Sequence, residues 1–179
     1  MNVFWPAAMT VLTALGAILL AAAGAAHAAR PREHRAVLRA HRLLPTASAA
    51  SVAVAVTAAE VLVGVTVLAV LLVAPGATVL PSATQATLYC AFAGYAAVLR
   101  TQRPGVPCGC FGAEQVSWVV VSRAAVLAAG SAGCATLGAV EPVPDRWSCV
   151  AAGAVLAMAS HLIPAWRGAN SRKSTRSFR

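Results

Sequence analysis

With 59% hydrophobic and 11% charged residues among 179, and a mean hydropathy of +0.74, the chain is too apolar for a water-soluble domain and belongs in a bilayer. Its net charge of +9 does not point to nucleic acid, because Lys and Arg gather in segments that flank apolar runs, where they report membrane topology. The first apolar run, 3–29, ends in Ala26-His27-Ala28, which fits a small-x-small cleavage site. No Lys or Arg precedes it, however, and it exceeds the about 7 to 15 residues of a signal-peptide core, so an uncleaved first span is expected.

Residues 30–45 follow with five arginines against one acid, open with Pro31 near a helix start and end at Pro45. Val37, Leu38 and Leu44 can rest on the membrane, so an interfacial helix over 31–44 on anionic headgroups is expected, with a solvated basic loop as the alternative. About 20 apolar residues cross the hydrocarbon core, and on that length spans are expected over 46–74, 83–99, 117–138 and 147–166. Pro75-Gly76 and Pro81 break the apolar run between the second and third spans where a short turn is needed. The expected architecture is therefore all-α: one polytopic transmembrane domain over 1–166, with a four-helix core plus a fifth, peripheral transmembrane helix. The tail, 167–179, is basic and polar, and disorder is expected there.

Counting basic residues gives five in the first connection, two between the third and fourth spans (Arg100 and Arg103) and five in the tail. The opposite face has almost none, so the positive-inside rule puts the N-terminus outside and the three basic segments in the cytoplasm.

Between the third and fourth spans lies the polar knot Arg100-Thr-Gln-Arg103-Pro-Gly-Val-Pro107-Cys108-Gly-Cys110-Phe-Gly112. Its glycines allow backbone angles closed to other residues and its prolines fix theirs, so the segment is a shaped turn. Arg100 and Arg103 would favour the thiolate form of Cys108 and Cys110, the nucleophile of thiol chemistry. A disulfide across one residue closes a strained ring, and strained disulfides are the exchangeable ones. Two readings stay open: redox exchange, or two cysteines in a glycine-rich turn that only shapes an interface. Structural zinc would need four ligands, and no second Cys or His pair has suitable spacing.

Charges within apolar spans face the bundle interior or a cavity, which makes Glu60 and Arg123 candidate functional residues. They could pair, although their depths differ by roughly 10 Å at 1.5 Å per residue. Otherwise Arg123 would bond loop carbonyls near the cysteine turn. Gly64, four residues after Glu60, lets another helix come close. His161 reads as an interhelical hydrogen-bonding residue, Cys90 as a small buried one, and Cys134 with Cys149 as a pair that could form a disulfide if near enough.

Cys108-Gly-Cys110-Phe111-Gly112, with Trp118 and Arg123 in the next span and Glu60 with Gly64 in the second, resembles the methylamine-utilisation MauE family, grouped with DoxX-like membrane proteins. The resemblance implies a four-helix inner-membrane bundle. It also implies a role in maturing an extracytoplasmic, disulfide-rich subunit of methylamine dehydrogenase together with a thioredoxin-like partner. The functional expectation is thiol–disulfide work, in which Cys108 and Cys110 exchange. Arg100, Arg103 and Arg123 would stabilise thiolate, and Glu60 would manage protons or hold helices together. The partners expected are the lipid bilayer, a thioredoxin-like protein and the client, with no cofactor, no metal and no nucleic acid. A non-enzymatic assembly or scaffold protein is the rival reading.

Overall fold

The computed structural model describes residues 4–43, 45, 47–107, 115–139 and 145–160. These residues are helical throughout apart from turns and one isolated β-bridge. In chain order they form α1 (Phe4–Ala29), α2 (Pro31–His41), α3 (Ala49–Val73), α4 (Val79–Gln102) and α5 (Trp118–Leu137). A sixth helix, α6, covers 145–160.

Helix α1 is the centre of the bundle. Half of its most apolar stretch is buried, roughly twice the share of α3 or α5. It contacts α3 and α5, while α4 packs mainly on α5. Two glycines set the α1–α3 distance. A Cβ on Gly64 would stand 2.7 Å from both the Ala17 carbonyl oxygen and the Ala21 amide nitrogen, and a Cβ on Gly24 would stand 2.9 Å from the Val61 nitrogen. Only the missing side chains let the two backbones approach so closely, as at small-residue interfaces in membranes. The outer surface carries Val54, Leu62, Leu80, Val119 and Val155 at roughly half exposure or more, an apolar coat suited to lipid. Exposed Trp5, Trp118 and Trp147 near helix starts match the interfacial positions of tryptophan.

By length and composition, α1, α3 and α5 are long and apolar enough to cross a membrane. Helix α4 is as long but more polar, because Gln85 and Tyr89 turn inward. Gln85 Nε2 donates to the Thr13 carbonyl at 3.0 Å and the Tyr89 hydroxyl donates to the Gly16 carbonyl at 2.8 Å. These two polar groups are thus ties to α1. Pro81, expected in the turn, stands instead in the first turn of α4, where a missing N–H removes no helical bond. The turn itself is the 3-10 segment Pro75–Ala77.

Helix α6 is not peripheral. A Cβ on Gly153 would lie 2.9 Å from the Leu15 nitrogen of α1, and Arg146, Cys149 and Ala157 are buried along with it. Arg123 Nη2 donates to Ser160 Oγ at 3.5 Å, so α6 runs back toward the end of the bundle where α5 begins. At 1.5 Å per residue, its described part covers about 24 Å. The later residues of the expected fifth span, His161 and the basic tail among them, lie outside the described residues.

Candidate functional site

Helix α2 covers Pro31–His41 of the 31–44 expected to be helical, and its inner face carries His34 and His41. Pro31 begins α2, and Arg42, at φ 53°, ends it in a left-handed turn. Leu38 and His41 are buried, whereas Arg32 and Arg39 point to solvent.

His41, 1% exposed, bridges three segments. Its Nε2 donates to the Pro107 carbonyl at 2.9 Å, and its Nδ1 lies 2.8 Å from the Tyr95 hydroxyl of α4. A carbonyl can only accept, so Nε2 carries the proton, and in the neutral ring Nδ1 accepts from Tyr95. Pro107 directly precedes Cys108. Cys108 and Cys110, the expected exchanging pair, lie within 108–114, outside the described residues. The two flanks of that segment are paired: Pro107 bridges Gln115, and the Val116 N–H donates to the Val106 carbonyl at 3.0 Å. Gly105, at φ 87°, makes the turn that enters this neck. The end of the bundle that carries the cysteine-bearing segment is therefore the end that carries α2.

Arg100 is half-buried in the last turn of α4, and Arg103 is exposed just past it, its N–H donating to the Leu99 carbonyl at 2.8 Å. Glu60 and Arg123, expected as a possible pair, line one cavity of about 80 Å³ with Tyr89, Tyr95 and apolar side chains of α1, α4 and α5. The Glu60 carboxylate instead meets α1: its Oε2 lies 2.7 Å from His27 Nδ1, with Glu60 1% exposed. Depth explains the choice. Gly24 brings α1 against Val61 and Glu60, and His27 follows Gly24 by one turn, whereas Arg123 stands near the start of α5.

The His27 ring stacks on His34 of α2, with centroids 3.8 Å apart and planes 16° from parallel. Both His34 ring nitrogens are enclosed and have no hydrogen-bond partner among the described residues. Burial, followed by the nearby His27 and His41, pushes the His34 pKa down from 6.5 to about 4. The unfolded chain takes up a proton near pH 6.5 that folded His34 refuses until about pH 4. Stability is thus fully present above pH 6.5, falls as pH drops through that window and levels off below it. His34→Gln should flatten this part of the dependence in thermal melts across the same window, and an unchanged slope would mean that His34 does not carry it.

His27, His34, His41 and Tyr95 had no place among the site residues expected from sequence. For α2 the signal was the seven-residue spacing of His34 and His41, which returns to one helix face after two turns, whereas His27 lies on α1. Cys90 also departs from expectation, being exposed on α4. Cys134 and Cys149 are both buried and both free thiols, so no disulfide joins them. Cys134 packs in an apolar cluster with Ala14, Ala17, Val67 and Leu71, an environment that holds a thiol as a small hydrophobe.

The family described as methylamine utilisation protein MauE matches the chain over residues 5–139. No curated protein and no solved structure matches it.

Proposed function

The chain belongs to the methylamine utilisation protein MauE family, and on that premise we propose that it supports disulfide-dependent maturation of an extracytoplasmic partner such as methylamine dehydrogenase. Cys108 and Cys110 are the exchanging pair in this reading. The observation that carries it is the His41 clamp. A buried histidine tied to Tyr95 and to the Pro107 carbonyl fixes the backbone one residue before Cys108, and the paired flanks close the neck of the segment. Exchange chemistry needs a thiol held at a rigid end with its partner thiol within reach.

In the oxidising direction a thiolate of a thioredoxin-like partner on the same membrane face attacks the Cys108–Cys110 disulfide. The ring S–S bond breaks, a mixed disulfide forms, and the released sulfur takes a proton. A second thiolate of that partner then resolves the mixed disulfide, leaving the partner oxidised and the pair reduced. A disulfide on another thioredoxin-like protein would reoxidise the pair by the same exchange in reverse, and the extracytoplasmic client is served through such partners rather than by direct contact. Arg100 and Arg103 raise the thiolate fraction, Arg123 anchors the start of α5 to α6, and Glu60 with His27 ties α1 to α3. Trapping tests this: a chain with one cysteine of the pair replaced should accumulate a mixed disulfide with a partner, and a chain that traps nothing acts as a scaffold.

The five arginines of residues 30–45 and the five basic residues of the tail put this end of the bundle at the cytoplasmic face of the inner membrane, with the tail on the same side. An impermeant thiol reagent added to intact cells should therefore fail to label a cysteine introduced at Ser174. Efficient labelling would reverse the orientation.

A further inference from the structure

Helix α2 turns a second face away from the bundle, and that face has a defined shape. Arg32, Arg35 and Arg39, spaced three and four residues apart, line a cleft of about 380 Å³ whose other wall is Ala49 and Ala50, the first two residues of α3. The inner face of α2 is fixed by buried Leu38 and His41, so the helix cannot rotate to disperse these guanidinium groups. Arg35 is further restrained by a 3.0 Å bond from its Nε to the Pro31 carbonyl, which leaves its terminal nitrogens for another partner.

Among the described residues, no carboxylate lines the cleft. The single acid of α2, Glu33, stands 3.9 Å from Arg30 instead. Three cations in one cleft repel one another, and an anion among them would remove that repulsion. The wall supplied by α3 adds to the attraction. Ser48 makes no side-chain cap, because its hydroxyl donates to the Pro45 carbonyl at 2.9 Å, and the first-turn N–H groups of a 25-residue helix open beside the arginines. Forked guanidinium donors beside helix N–H groups match the tetrahedral oxygens of phosphate.

We propose that Arg32, Arg35 and Arg39, together with the first turn of α3, bind one phosphate group. The cleft lies where α1 ends and α3 begins, at the headgroup level of a membrane that these helices cross, so a phospholipid headgroup and free phosphate are both within its reach. Native mass spectrometry of the purified full chain distinguishes these sources, using phosphatidylglycerol, diacylglycerol and inorganic phosphate as probes. Retained phosphatidylglycerol identifies a lipid headgroup, whereas a retained phosphate adduct identifies the free ion.

Replacing Arg32 and Arg39 together by Gln should weaken retention by about tenfold or more, since charge-assisted bonds are lost from both ends of the cleft. The matched variant Arg30→Gln with Arg42→Gln removes the same net charge away from the cleft and should bind like the parent. Melting in the absence of any phosphate probe checks that both variants fold. Equal losses in the two variants would reduce the effect to diffuse charge and overturn the site. So would retention of diacylglycerol, which has no phosphate, as strong as that of phosphatidylglycerol with no phosphate adduct.

Discussion

Glu60→Ala is expected to cost about 3–5 kcal/mol of stability, because it leaves His27 buried between α1 and α3 with its carboxylate partner gone. Glu60→Gln should cost far less, about 1–2 kcal/mol, since an amide oxygen can still accept from His27 Nδ1 and only the charge assistance of the bond is lost. Unfolding titrations in mixed micelles read both values. The Gln variant also separates two roles: if it folds but loses activity, Glu60 handles protons, and if it keeps activity, Glu60 holds helices together. A Glu60→Ala chain as stable as the parent would mean that the 2.7 Å contact contributes nothing.

The membrane helices were legible because hydropathy, proline position and charge clustering all act locally. The close approach at Gly64 was legible too, since a glycine one turn from a buried acid on an apolar helix has few other uses. The partner of Glu60 was not. Its bond to His27 spans 33 residues, and the contacts of His41 to Tyr95 and Pro107 span 54 and 66. Such pairings depend on where helices cross, which periodicity does not report. His27 was hidden further by sitting in a sequence that mimics a signal-peptidase site. For Cys134 and Cys149, nearness of both to one end suggested a bond, but packing keeps them as separate buried thiols.

Cys108→Ser and Cys110→Ser should each be as damaging as the double replacement, with activity in client maturation falling to background in all three. A lone thiol can begin an exchange but cannot resolve it, so the two losses should be strongly non-additive, as for residues that act as one unit. His41→Ala should lower activity less, because it frees the Pro107 carbonyl and loosens the segment without removing a sulfur. Substantial activity in both single variants would leave the turn with a shaping role only.

The central claim is that Cys108 and Cys110 interconvert between dithiol and disulfide, and the most direct measurement is alkylation followed by intact mass on protein equilibrated across a graded thiol–disulfide buffer. The account predicts that these two cysteines oxidise together as one two-electron step, at a more oxidising potential than a structural disulfide, while Cys90, Cys134 and Cys149 stay alkylatable. A pair that remains reduced across the whole series, or an oxidised form that joins other cysteines, would contradict it.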